Sequence, residues 1–264
     1  MIVDAHTHVT TDGQWFSTSF DASETCLLRQ MDEEGVEKAV VIGLPGYISN
    51  ESINDLCERH SGRLLPVASF NPADYANSQE VSREIRKQLK DEGFIGVKLH
   101  PRLNHYDPLD ARVFALLDEI ASWPKPLPVW IDTLFYYPGG VLKKPPVETI
   151  HEMVGSYPGI TFFLSHAGGP DILRLSQAVR SCPNTYLELS LTLTRYLGSS
   201  VEMDIRYLLR TFEQRLVFGS DFPEVSLSQA RNAFDILVKD AKPEARQSVL
   251  GNNFCKIVLQ EPNQ

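Results

Sequence analysis

Two histidines one residue apart, His6 and His8, stand at the end of the short apolar run that opens the chain. On an extended backbone, positions i and i+2 project from the same face, so both imidazoles point one way. The pattern returns along the sequence. Lys98 and His100 close a later run with the same spacing, Asp132 closes the next and His166 the one after it. Glu188 and Ser190 follow, and Asp221 closes the last run. Imidazole nitrogens and carboxylate oxygens suit zinc, manganese or iron, and a catalytic site keeps one position open for water. A divalent ion held this way acidifies a bound water and polarises a carbonyl. The histidines must be neutral to bind, and Asp221 can either ligate or accept the proton of that water. A merely hydrogen-bonded core would not explain why these polar residues gather at strand ends.

Those ends need strands to carry them. Short apolar or β-branched runs predict strands over Ile2–His6, Lys38–Leu44, Leu64–Phe70, Phe94–His100, Pro128–Thr133, Ile160–His166, Thr185–Ser190 and Leu216–Asp221. Amphipathic stretches between them predict helices over Glu24–Glu34, Glu51–His60, Ser78–Glu92, Asp110–Ser122, Val147–Tyr157, Asp171–Arg180, Val201–Glu213 and Ser226–Lys239. A last segment runs from Glu244 to about Val258. Strands buried on both faces, such as Ala39-Val40-Val41-Ile42, belong in a parallel sheet. Eight strand–helix units close a barrel, so the expected fold is an α/β (β/α)8 TIM barrel with an extra C-terminal helix, one domain over residues 1–264. Active sites of such barrels sit at the C-terminal ends of the strands. Three long connections there, Val9–Ser23, Leu134–Pro146 and Leu191–Ser200, carry aromatic and flexible residues and read as pocket walls or lids.

Composition narrows the partners. With 264 residues, 42% of them hydrophobic and 22% charged, the chain has the make-up of an ordinary globular domain. A net charge of −9 with scattered basic residues argues against nucleic acid. No apolar run approaches the roughly 20 residues that cross a bilayer, so no membrane partner is expected. The start at Met1-Ile2-Val3-Asp4 has no leader-like segment, and a cytoplasmic location is expected. The four cysteines (Cys26, Cys57, Cys182, Cys255) are far apart and read as buried free thiols.

Four segments carry a resemblance. Val3-Asp4-Ala5-His6-Thr7-His8, Gly96-Val97-Lys98-Leu99-His100-Pro101, Phe163-Leu164-Ser165-His166-Ala167-Gly168-Gly169 and Phe218-Gly219-Ser220-Asp221-Phe222-Pro223 resemble the amidohydrolase superfamily. They look most like its amidohydrolase-related ("amidohydrolase 2") branch, which contains lactonases, other hydrolases and zinc-dependent decarboxylases. The likeness extends to the closing Gly251-Asn252-Asn253-Phe254. It implies one divalent metal, zinc or manganese, at His6, His8 and Asp221, with His166 as a further ligand or an acid/base. Homodimers are common among such relatives. One position departs: where the family places a histidine at the end of strand five, this chain has Asp132. Asp132 then ligates as a carboxylate, or turns away while His100 supplies the nitrogen, or marks a degraded site.

The remaining polar residues have competing readings. Lys98 either pairs with Glu188 or Asp132 inside the barrel or meets a substrate anion. Glu188 and Ser190 are expected behind the ligands or in the wall. Arg102 and Arg195, on loops at the mouth, either fork onto a substrate carboxylate or lie on the surface as most arginines do. His105 could reach the pocket, whereas His60 and His151 are expected on the surface. The leading expectation is a metal-dependent hydrolase of a small carboxylated substrate (a lactone, ester or amide). A non-oxidative decarboxylase on the same scaffold and a non-catalytic ligand-binding relative are the alternatives. A metal-dependent nuclease would need an acidic ligand at the end of strand four and a basic mouth, and this sequence has neither.

Overall fold

The computed structural model describes residues 1–90 and 92–260. Residue 91, inside the expected helix Ser78–Glu92, and the last four residues of the expected domain lie outside the described residues. Eight parallel strands succeed one another in chain order: β1 (Val3–Thr7), β2 (Lys38–Ile42), β3 (Leu64–Ser69), β4 (Gly96–Leu99), β5 (Val129–Asp132), β6 (Phe162–Ser165), β7 (Thr185–Glu188) and β8 (Leu216–Val217). The sheet closes on itself through hydrogen bonds from Ala5 N to Phe218 O (3.0 Å), Asp221 N to His6 O (3.0 Å) and His8 N to Phe222 O (2.8 Å). The fold is a TIM barrel, as expected.

Ten α-helices accompany the strands among the described residues: α1 (Glu24–Glu34), α2 (Asn50–Arg59), α3 (Ser78–Leu89), α4 (Ala111–Ala121), α5 (Pro146–Gly155), α6 (Ile172–Ala178), α7 (Thr192–Arg195), α8 (Ser200–Thr211), α9 (Leu227–Leu237) and α10 (Pro243–Gln247). Their starts are written in the sequence. Ser23, Ser49, Asn77, Asp110, Ser199 and Ser226 each cap a helix by accepting a backbone N–H that would otherwise lack a partner. None of the described helices is long and apolar enough to cross a membrane.

Strand alternation sorts the side chains into two layers. Val97, Ile131, Leu164 and Leu187 pack under the helices. Their neighbours Lys98, Asp132, Ser165 and Glu188 point the other way, into the barrel, and are fully buried. Below them Trp130 stacks on Phe163 at 4.4 Å, and Phe254 closes the floor 5.9 Å from Phe163. Gly96 makes room for that tryptophan, since a Cβ there would stand 2.3 Å from Trp130 Cζ3.

The C-terminal motif now has a physical reason. Gly251 lets the chain pass Met1, whose carbonyl oxygen would lie 2.4 Å from an added Cβ. Asn253 Nδ2 donates to Glu213 O (2.8 Å) and Leu216 O (2.7 Å), fastening the last helical segment to the start of β8. Asn253→Ala leaves two carbonyls without that donor and is expected to lower unfolding free energy by about 2 kcal/mol. A denaturant midpoint identical to that of the parent protein would remove this role.

Most strands are shorter than expected at the C-terminal face of the barrel (β2 stops at Ile42 and β7 at Glu188, not at Leu44 and Ser190), and a short helix, α7, lies in the expected loop Leu191–Ser200. The strand expected over Leu216–Asp221 stops at Val217, because Phe218 N turns to Val249 O (2.9 Å). His166 leaves β6 with a φ of 64° and opens a tight turn, and Asp221 has a φ of 73°. The helix expected from Ser226 does begin there, with Ser226 as the cap of α9. Non-glycine residues in this left-handed region cost of order 1–3 kcal/mol each and gather where the fold holds a functional geometry.

Candidate metal centre

His6 and His8 meet Asp221 at the C-terminal mouth of the barrel. The two Nε2 atoms are 3.2 Å apart, and Asp221 Oδ1 lies 3.5 Å from the first and 3.7 Å from the second. Donor atoms about 2.0–2.1 Å from one tetrahedral ion stand roughly 3.3 Å from each other, so the triangle has the right size.

The tautomers are dictated from behind. His6 Nδ1–H donates to Glu188 Oε2 at 2.6 Å, and His8 Nδ1–H donates to the carbonyl oxygen of Ile42 at 3.0 Å. Each Nε2 therefore presents a lone pair to the other, beside a carboxylate oxygen. With Asp221 ionised, three acceptors converge, an arrangement that a cation relieves. Burial, then the charges of Lys98 and the neighbouring rings, hold the His6 imidazole well below its usual range; His8 is lowered likewise by burial, then His100 and Lys98. Both are neutral and able to ligate. Burial, then the carboxylates Glu224 and Glu188, push Asp221 well up, which is the electrostatic strain that a dication removes. The residues fit a divalent metal.

Glu188 is a brace. Besides His6 it accepts from Ser190 N (2.5 Å) and Ser190 Oγ (2.8 Å). The carboxylate–histidine pair is the usual way in which a metal-facing ring is oriented. His6, His166 and Glu188 also form a compact trio. Ser190 Oγ already bridges it, 3.2 Å from His6 Nδ1 and 3.0 Å from His166 Nδ1, so hydrogen bonds account for that cluster.

Asp132 does not join the triangle, and neither candidate ligand group among the described residues includes it. Its Oδ2 receives Arg102 Nε (3.1 Å) and Nη2 (2.8 Å), while Oδ1 accepts from Leu134 N (2.8 Å). Burial pushes the Asp132 carboxyl up, but His100, His166 and Arg102 outweigh it and hold it well below the usual carboxylate range. Only Arg102 is in direct contact, for His100 Nδ1 stands 3.8 Å away. His100 is buried with both ring nitrogens unpartnered. It too stays outside the triangle, so it does not supply the third nitrogen.

Lys98 is fully buried and donates to Ser165 Oγ (2.5 Å), not to Glu188 or Asp132. Burial pulls its ammonium down to about 8 against the carboxylates around it. A cavity of about 230 Å³ opens above the triangle, lined by His8, His100, Arg102, Asp132, His166 and Arg195 among others. Arg195 reaches Glu224 at 3.3 Å on its rim. A broader depression of about 530 Å³ near Tyr47, Asn50 and Tyr75 holds no such ligand group among the described residues. Trp15, from the first long loop, stacks on His8 at 5.2 Å, and Tyr136 Oη meets Tyr196 Oη at 3.1 Å. Their partners were not readable from sequence; only the aromatic content of the loops was. His105 is exposed, His60 pairs with Glu24, and His151 contacts Ser181 (3.3 Å). All three stay away from the cavity. All four cysteines are buried, Cys26, Cys57 and Cys182 as free thiols.

The barrel has well-covered counterparts. A TIM-barrel protein from Bordetella bronchiseptica superposes with a TM-score of 0.79 at 20% identity, over 98% of each chain. The 5-carboxyvanillate decarboxylase of Sphingomonas paucimobilis gives 0.68 at 13% identity, again over 98% of each. An amidohydrolase from Burkholderia multivorans with bound zinc gives 0.68 at 16%, covering 98% of this chain and 99% of its own. At such identities the likeness speaks for the fold. No curated protein matches. The sequence itself matches the Amidohydrolase family (Amidohydro_2) over residues 3–253, and the chain belongs to that family.

Proposed function

We propose that this chain, a single barrel domain, is a metal-dependent hydrolase of a small carboxylated substrate such as a lactone, ester or amide. The observation that carries the reading is the convergence of two neutral imidazole lone pairs and a carboxylate oxygen within 3.7 Å, each ring locked from behind. His6, His8 and Asp221 would hold the ion. A divalent ion there supplies an activated water and an electrophile for a carbonyl, zinc being the first candidate and manganese the second.

The protein's own groups do the rest. Glu188 and the Ile42 carbonyl fix the histidine tautomers. Asp221, buried beside both rings, accepts the proton from the attacking water. His166, its Nδ1 tied to Ser190 and its imidazole lowered to about 3 by burial, lines the cavity wall as a neutral ring that can accept a proton only transiently. Arg102 and Arg195 place cationic donors around the same cavity, which suits a substrate carboxylate. Trp15 packs over His8 and restricts water from that side.

The test combines elemental analysis with a substrate panel. Protein purified without chelator is expected to hold about one ion per chain and to hydrolyse a lactone, ester or amide that bears a free carboxylate. Carbon dioxide release from aromatic acids, without hydrolysis, would instead assign decarboxylation. Protein that takes up neither zinc nor manganese would overturn the metal-dependent reading and favour a ligand-binding relative.

A further inference from the structure

Asp132 occupies the strand end where a ligand was expected, yet it serves another residue. Its Oδ2 takes two donors from one edge of the Arg102 guanidinium, Nε and Nη2. The carboxylate is wholly buried, whereas 30% of the Arg102 side chain is exposed. Among the described residues Arg102 Nη1 has no protein partner, and Arg102 lines the cavity above the ligand triangle. A planar fork gripped along one edge can still offer its other N–H groups to a planar anion.

More unpaired polar atoms surround this pair. His100 Nδ1 and Nε2, Asn104 Oδ1 and the hydroxyls of Tyr106 and Tyr137 are buried without hydrogen-bond partners among the described residues. Both phenols sit within the field of Asp132: burial first, and this carboxylate among the neighbours after it, push each of them up. Buried polar groups without partners are uncommon in a finished core and mark places where a ligand or water completes the bonding.

We infer that Asp132 is a positioning residue for Arg102, and that Arg102 is thereby the group that selects a ligand carboxylate at this end of the cavity. The inference rests on the proposed function for the identity of the cavity as a substrate site. Two effects oppose each other when Asp132 is neutralised. Losing its negative charge removes a repulsion toward the bound anion. Losing the two-point grip frees a long, part-exposed side chain to move toward bulk water, where an ion pair is worth little. The second dominates here, because the ligand anion approaches from the ungripped side of the guanidinium, farther from Asp132 than from Arg102.

The experiment measures binding of benzoate and of its uncharged isostere benzamide, by calorimetric titration, to the zinc-incubated protein. The variants are Arg102→Gln, Asp132→Asn and the double variant, with metal content and near-ultraviolet circular dichroism recorded for each. Wild type is expected to prefer benzoate. Each single variant is expected to lose about tenfold of that preference, one charge-assisted hydrogen bond's worth. The double variant should be no worse than Arg102→Gln alone, since Asp132 acts through Arg102. Metal content should stay at the wild-type level throughout. Unchanged or tighter benzoate binding in Asp132→Asn overturns the inference, as does simple additivity or loss of the ion in that variant. If wild type takes up no zinc while Arg102→Gln and Asp132→Asn still lose the preference non-additively, the hydrolase reading fails and the positioning role stands.

Discussion

Replacing His8 by alanine is expected to abolish metal retention while leaving the metal-free protein folded. The first half follows from geometry: His8 Nε2 is one corner of a triangle whose other corners are His6 Nε2 and Asp221 Oδ1. Removing a corner should cost more than the roughly 10–100-fold in affinity that loss of an outer partner costs. The second half follows from the fixed tautomers. In the metal-free state two imidazole lone pairs face each other at 3.2 Å, and removing that repulsion offsets part of what is lost with the bond to Ile42 O and the stack on Trp15. Added zinc should therefore raise the melting temperature of wild type, in line with about 2.7 kcal/mol at a hundredfold excess over Kd, and leave His8→Ala where it was. Glu188→Gln keeps all three corners and only loosens His6, so it should fall between the two. Stoichiometric zinc in His8→Ala, or an affinity in Glu188→Gln as low as in His8→Ala, would sink this assignment of ligands and brace.

Much of this was legible in the sequence because barrels write themselves locally. Apolar runs such as Val40-Val41-Ile42 can only be strands covered on both faces, and the serine and aspartate caps mark where helices begin. The i, i+2 spacing of His6 and His8 fixed their common face, and the structure puts their Nε2 atoms in contact. What sequence could not supply was pairing across the barrel. Asp132 has the chemistry of a ligand, and only the fold shows that Arg102, 30 positions earlier, has already taken its Oδ2. Glu188 is 182 positions from the ring that it orients. Strand ends were also overextended, since hydropathy does not register where a carbonyl such as that of Val249 captures the next amide, or where Asp221 and His166 adopt a left-handed backbone.

Gly219→Ala offers the sharpest separation of site geometry from fold stability. The reason for this glycine is space: an added Cβ would stand 2.2 Å from Glu188 Oε1, 3.0 Å from Glu188 Cδ and 3.1 Å from His6 Cβ. A carboxylate tip can ordinarily swing aside at little cost. This one is held by His6 Nδ1 at 2.6 Å, Ser190 N at 2.5 Å and Ser190 Oγ at 2.8 Å, so any swing breaks the bonds that orient His6. The methyl group therefore acts on the metal through two intermediaries. Overpacking of this kind costs about 1–3 kcal/mol in stability, which a barrel of this size survives. Metal affinity should fall by at least the roughly 10–100-fold assigned to losing the brace itself, because His6 is pressed as well. Gly219→Ala should accordingly stay folded by circular dichroism while releasing zinc to a chelator far faster than wild type. Wild-type zinc affinity in a folded Gly219→Ala protein would show that Glu188 can leave His6 without consequence, and the brace would then have no function.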